Sequence, residues 1–342
     1  MKSFLVCCLL VILALSRGAN AGAAPIDELI KGAKQEGTIE FYAPSTLTPQ
    51  GAQALSAAFN KKYAVNVKMQ YSPSGNMTRD IGKVVGLGAS GVPPEWDLMV
   101  VTDAHHATLW VKKMHQAFDY KSVGVDPKAI QYDGGSVSFA NQFVLPAYNK
   151  KLVSAKDIPK SWEDLLNPKW KGKIGVSSAT HHMARLAVGP WGEERTTHFV
   201  KELTKQDLIL GRLGEIYNRL LLGEIVVAVS LSDSEAKSDK NKTAPVVFAE
   251  AVSPLIAPAY HAGVPKNAAH PKAGHLFAAF LATAEAQKIW DKYAGQTSVL
   301  IPGTPAHKYV QGKKVVYINQ EHAETVDRLS REYGKIFGFT GL

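Results

Sequence analysis

Beyond residue 8 this chain of 342 residues holds no cysteine. The two it has, Cys7 and Cys8, sit inside FLVCCLLVILAL, an apolar stretch that follows Lys2 and leads to the small residues ANAGAAP. A charged start, a short apolar stretch and an A-x-A site read as a secretory signal peptide over residues 1–23, cut after Ala21 or Ala23. The apolar stretch is too short to span a bilayer. Once it is removed, the exported chain has no disulfide, no thiolate nucleophile and no cysteine metal site. Lys2 and Arg17 leave with it, which lowers the formal net charge from +9 to +7.

Other absences narrow the reading further. No later apolar run reaches the length a membrane helix needs, which excludes a helical membrane domain. The basic residues are dispersed, with NKK, VKK and GKK far apart, so no basic face for nucleic acid forms. There is no G-x-S-x-G, no H-E-x-x-H and no G-x-x-x-x-G-K-[ST]. GLGASG (86–91) fits G-x-G-x-x-G but precedes VPPEW rather than a helix, and reads as a turn. His105–His106 and His181–His182 are adjacent pairs. Adjacent residues on a helix diverge, so neither pair chelates a metal by itself. An enzyme would need an activated nucleophile or a paired acid and base, and no such spacing is visible. No cofactor is required.

What is present is one grammar repeated. Apolar residues make up 46% and charged residues 20%, as in a globular protein, and the length suits two domains. GTIEFYA, VNVKMQY, WDLMVV, KIGV and EIVVAVS each read as a short apolar strand, and each ends in small polar residues that lead into a helical pattern. Apolar strands alternating with helices predict an α/β fold with parallel sheets covered on both faces. Ligands of such sheets sit beyond the carboxyl ends of the strands. Those ends carry Ser45, Thr46, Ser72, Ser74, Thr102, Asp103, Ser177, Ser178, Thr180, Ser232, Asp233 and Ser234. Each suits a helix N-cap on its own. As a set they mark several helix N-termini, with free N–H groups and partial positive charge, as the walls of a polar, anion-accepting site. Upstream of one wall, Ser161 with Asp164 predicts a capped helix that Pro168 stops.

IPKSWEDLLNPKWKGKIGV (158–176) resembles a signature of periplasmic solute-binding proteins of the ferric-ion-binding type, which serve ABC importers. GTIEFYAPS, GEIVVAV and AAFLATAEAQKIW stand in the same order as similar phrases in that family, so the resemblance covers most of the chain. It implies a two-lobed periplasmic-binding-protein fold, each lobe a mostly parallel sheet covered by helices. It also implies two crossings, near 138–148 and 251–260. One lobe would be 24–140 plus 256–305, and the other 141–255 plus 306–342, with a terminal helix near 320–337 packing back. The chain would be a periplasmic monomer that binds a small molecule or ion and serves an inner-membrane ABC permease, not nucleic acid.

The resemblance departs at the ligand. Ferric-binding members carry two adjacent tyrosines shortly after the strand that here reads GEIVVAV, and Asp233 and Ser234 occupy those places. The first loop, often furnished with a histidine, holds Pro44, Ser45 and Thr46. Bare ferric ion would have to draw anionic oxygens from Asp233 and from Asp103, Glu235 or a tyrosine such as Tyr148. A small anionic solute, or a metal carried as an anionic chelate, suits the hydroxyl-rich loops 44–46, 72–76, 177–182 and 231–235 better. Bare ferric ion remains one alternative. An exported enzyme or a sensor input on the same frame is another.

Overall fold

The computed structural model describes residues 25–238 and 243–339. The expected signal peptide lies outside the described residues. In chain order the strands are β1 (Thr38–Pro44), β2 (Lys68–Ser74), β3 (Leu98–Thr102), β4 (Ile130–Gln131), β5 (Ser136–Asn141), β6 (Val144–Asn149), β7 (Ile174–Ser177), β8 (Ile209–Gly211), β9 (Val227–Ser232), β10 (Val246–Phe248), β11 (Leu255–Ile256), β12 (Ala259–Gly263) and β13 (Val315–Val316). They form two sheets. The first runs β2-β1-β3-β12-β5-β4. The second runs β13-β11-β6-β9-β7-β8, with β10 paired to β6.

The five strands expected from the sequence are β1, β2, β3, β7 and β9. β1 pairs in parallel with β2 and β3, and β7 in parallel with β8 and β9. Both sheets are mixed rather than mostly parallel, because the strands that carry the chain between them run the other way. β12 is antiparallel to β3 and β5, and β6 is antiparallel to β9 and β11. The chain leaves the first sheet after Asn141 and enters the second at Val144. It returns between Ile256 and Ala259, and Ile256 still pairs with Val144 in the second sheet. It goes over once more between the helix Ala284–Ala294 and the helix Pro305–Val310.

Each sheet has its own core. In the first, Phe41, Phe59, Phe277 and Phe280 interlock, mostly edge to face, between the sheet and the helices Thr48–Tyr63 and Pro271–Leu281. Burying each such ring stabilises the fold by about 1.5–3 kcal/mol. In the second, Trp162, Leu165, Ile174, Leu186 and Tyr333 are fully buried together. The Ser161 region departs from expectation. Ser161 and Asp164 exchange the bonds of a capping box, yet the turns that follow, Glu163–Leu166 and Pro168–Trp170, are 3₁₀ rather than α. Pro168 arrives too soon for an α-helix to propagate. GLGASG also differs from a simple turn, since its first residues complete the helix Met77–Ala89.

The terminal helix Ala323–Phe337 packs on the helix Asp103–Val111, which follows β3 of the first sheet. It also packs on His181–Val188 and Gly192–Leu203 of the second. Thr108 and Arg331 both bond Asp327 there. Between the same helices lies an ion pair enclosed on all sides, Asp103 with Arg185. Among the described residues no helix is long and apolar enough to cross a membrane.

Candidate functional site

The carboxyl ends of β1, β2 and β3 face those of β7, β8 and β9 across a cavity of about 300 Å³. From the first sheet come Pro44 to Thr46, Ser74 to Thr78, Thr102 and His105. From the second come Ser178, Ala179, His181, His182, Arg212 to Gly214, Ser234 and Glu235. Gln142 and Tyr260, one beside each crossing, close the bottom. The helices Thr48–Tyr63, Met77–Ala89, Asp103–Val111, His181–Val188 and Leu213–Leu222 all begin at this wall. Their N-termini direct partial positive charge into it.

Hydroxyl and amide groups dominate the lining. The Gln142 Oε1 accepts bonds from Ser232 at 2.5 Å, Ser234 at 3.1 Å and Tyr260 at 3.3 Å, so both crossings and the end of β9 share one acceptor. Thr46 Oγ1 is enclosed and makes no hydrogen bond to any described residue. His105 is held by two hydroxyls, Thr102 at 2.8 Å and Thr78 at 3.2 Å. Burial and the nearby Arg185 push its pKa down to about 3, so the ring is neutral. Burial first, then His182, His105 and Arg185 for His181, and Arg185 and His105 for His182, hold both rings well below the ordinary histidine range. Burial raises the Glu235 carboxyl. Arg212 turns its guanidinium to Glu215, in an exposed pair at 2.8 Å.

Six of the thirteen residues expected at the site line the cavity: Ser45, Thr46, Ser74, Thr102, Ser178 and Ser234. The rest are placed elsewhere for identifiable reasons. Ser72 lies two residues back inside β2, opposite Tyr42. Ser177 precedes Ser178 on an alternating strand, so it turns inward and is buried. Thr180 donates to the Ser330 carbonyl at 2.7 Å and so anchors the terminal helix. Ser232 lies under the floor, bonded to Gln142. Tyr148 sits inside β6 between Val227 and Val247, at the end away from the crossing.

The two aspartates are engaged away from the cavity. Asp103 is spent on Arg185 and on the backbone N–H groups of Ala104 and Ala259. Burial raises its carboxyl, and Arg185 with the two N–H groups pulls it back. Asp233 accepts from the Phe143 N–H at 2.7 Å and pairs with Lys237 at 2.8 Å. It lines a different cavity, of about 460 Å³, behind the helix Asp233–Ser238. Sequence reasoning missed Gln142, Tyr260 and Arg212, whereas His181 and His182 lie in the loop 177–182 that it named. Arg212 does follow the general grammar, since it joins β8 to the helix Leu213–Leu222, but LILGRLGE is too short and polar to announce a strand. Among the described residues no group of three His, Cys, Asp or Glu is placed to hold a metal ion.

The family profile described as bacterial extracellular solute-binding protein matches residues 39–294. No curated protein matches the chain. Solved structures similar to it include the periplasmic binding protein AfuA from Actinobacillus pleuropneumoniae with exogenous fructose-6-phosphate bound. That structure is 19% identical, with TM-score 0.70, over 88% of this chain and 98% of the other. Iron-bound HitA from Pseudomonas aeruginosa is similar at 18% identity and TM-score 0.66, over 87% and 99%. Trichodesmium IdiA (FutA), in complex with iron and citrate, is similar at 18% identity and TM-score 0.65, over 89% and 100%. At these identities the likeness is one of fold.

Proposed function

The chain belongs to the bacterial extracellular solute-binding proteins, and from that premise we propose that it captures a small anionic solute between its two sheets and delivers it to an inner-membrane ABC permease. Residues 1–23 direct export and are removed. The two bodies, about 25–141 with 257–298 and 142–256 with 299–339, close on the solute about the crossings.

One observation carries the anionic reading. Five helix N-termini and a set of small hydroxyls converge on one cleft, and Asp233, whose carboxylate would repel an anion, lines a different cavity. Small side chains let an oxyanion reach backbone N–H groups, and the hydroxyls add donors. Similar structures hold a sugar phosphate or iron with citrate, which fits a phosphorylated or carboxylated solute. Bare ferric ion fits less well. It wants several anionic oxygens, whereas this lining offers one carboxylate, Glu235, and one phenol, Tyr260, whose pKa burial raises further. Catalysis is not supported either, because among the described residues the His105 imidazole bonds only the hydroxyls of Thr102 and Thr78.

Native mass spectrometry of protein purified without denaturation tests the reading. The expected result is a retained organic anion, lost from Ser178→Leu, whose affinity falls at least about tenfold, or about 1.4 kcal/mol, while the fold is kept. Tight ferric ion with no accompanying anion would overturn it.

A further inference from the structure

His181 stands out in the cavity wall. Its side chain is buried, with the residue only 8% exposed, yet it lines the cavity. Its ring nitrogens make no hydrogen bond to any described residue. His105 and His182, by contrast, are tied to hydroxyls by at least one ring nitrogen each. The His181 ring also bridges the lobes. It meets His105 of the first lobe edge to face at 4.9 Å and His182 of its own helix at 4.7 Å. The ring nitrogens are not sealed from the cavity, so an entering ligand can reach them.

We propose that the His181 imidazole contacts the solute's anionic head directly and takes up a proton from solvent as the anion enters, so that capture strengthens as pH falls. The inference rests on the anionic reading of the cleft and adds to it the residue and the proton. The surroundings set the direction. His182 and Arg185 lie on its own helix, and His105 and Asp103 come from the helix Asp103–Val111. The terminal helix brings the Asp327–Arg331 pair. From Gly192–Leu203, Glu193 and Arg195 turn outward to Arg328 and Glu163. β11 brings only Leu255 and Ile256. Across the cavity stand Glu235 and Arg212. Arg185 is already matched by Asp103, and the histidines are neutral when the cavity holds no anion. An added negative charge therefore meets a ring that gains by protonation, and one proton strengthens binding by at most about tenfold per pH unit.

Calorimetric titration of the full exported chain with inorganic sulfate and with citrate tests this, at about pH 6 and about pH 8. Running it in buffers of different ionisation enthalpy reads the proton directly. Sulfate keeps its charge across that range, so its pH dependence belongs to the protein. The expected result is uptake of up to one proton at the lower pH and about fivefold or more tighter sulfate binding there. His181→Gln, which keeps hydrogen bonding but not the titration, should lose both the proton uptake and the pH dependence of affinity. Circular dichroism at both pH values establishes that each protein is folded. Sulfate binding with no proton uptake, or sulfate-linked uptake that survives in His181→Gln, overturns the inference alone. Failure of both anions to bind wild type overturns the anionic reading and the inference with it.

Discussion

His105 and His106 are neighbours in the chain and opposites in the structure. His105 faces the cleft, where Thr102 and Thr78 hold it beside His181 of the other lobe. His106 points the other way, into a column with His115, His261 and Tyr132. There its Nδ1 bonds His115 at 2.8 Å and its Nε2 donates to the His261 carbonyl at 3.1 Å. The column lies flat on bare backbone. A Cβ at Gly263 would fall 2.6 Å from the His106 ring, and one at Gly135 would fall 2.7 Å from His115. The same division recurs along the cleft wall. Ser178 faces in and Ser177 away, Gln142 in and Phe143 away, Ser234 in and Asp233 away. Residue type does not separate a ligand-facing group from a structural one here. The turn of one residue along a strand or helix does.

Acid should damage the structural side of this comparison most. His106 is neutral in the fold with a pKa of about 4, and His105 one of about 3. His115 and His261 are also depressed by burial. A histidine whose folded pKa lies below the unfolded value of about 6.5 binds its proton only on unfolding. Stability is therefore full above about pH 6.5 and falls as pH drops toward the folded values, by up to about 1.4 kcal/mol per pH unit for each ring. Melting temperature against pH should decline steeply from about pH 6.5 to about pH 4, and His106→Phe should flatten that slope by about one proton. A flat profile would show that these rings charge within the fold.

The next largest effect belongs to the buried pair behind the cleft. Asp103→Ala leaves the Arg185 charge enclosed and unmatched, and should cost about 3–5 kcal/mol in chemical denaturation. A loss below about 1 kcal/mol would mean that water reaches Arg185 between the helices. Smaller again, His106→Ala should cost about 2 kcal/mol of stability with anion affinity unchanged. A large loss of affinity there would erase the distinction between His106 and the cleft histidines. The smallest effect is expected of Lys237→Ala, on the far side of the helix that separates the two cavities. Its pair with Asp233 is partly exposed, so stability should change by less than about 1 kcal/mol, with affinity constant in the same titration.

How much of the site was legible depends on which residue each strand presents at its end. Ser45, Thr46, Ser74, Thr102 and Ser178 could be found because an apolar strand followed by a helical pattern locates a strand end within a residue or two. Ser72, Ser177 and Ser232 were within that margin and on the wrong side of it. β7 and β9 run nearly apolar throughout, so for Ser177 and Ser232 the sequence gives no alternation from which to read the phase, whereas VNVKMQYS alternates and sets Ser72 on the phase of Lys68 and Gln70. Asp103 and Asp233 looked like ligands because a carboxylate at a helix start is equally a cap, an ion-pair partner or a site residue. Only Arg185, Lys237 and the Phe143 N–H, distant in sequence, decided between them.

The sequence by itself determined local units: five of the strands, the helical patterns that follow them, that no cysteine occurs beyond Cys8, and that the strand ends are small and polar. These follow from periodicity, capping and composition, which act over a few residues. Tertiary structure decided everything that needs two distant segments at once. It set Gln142 and Tyr260 beside the two crossings at one floor, turned His105 and His181 toward each other from different lobes, and moved Asp233 behind its helix. The physical reason is that a cleft between two separately built sheets is fixed by how the crossings and the terminal helix hold those sheets together, and that geometry is not written in any one stretch of chain.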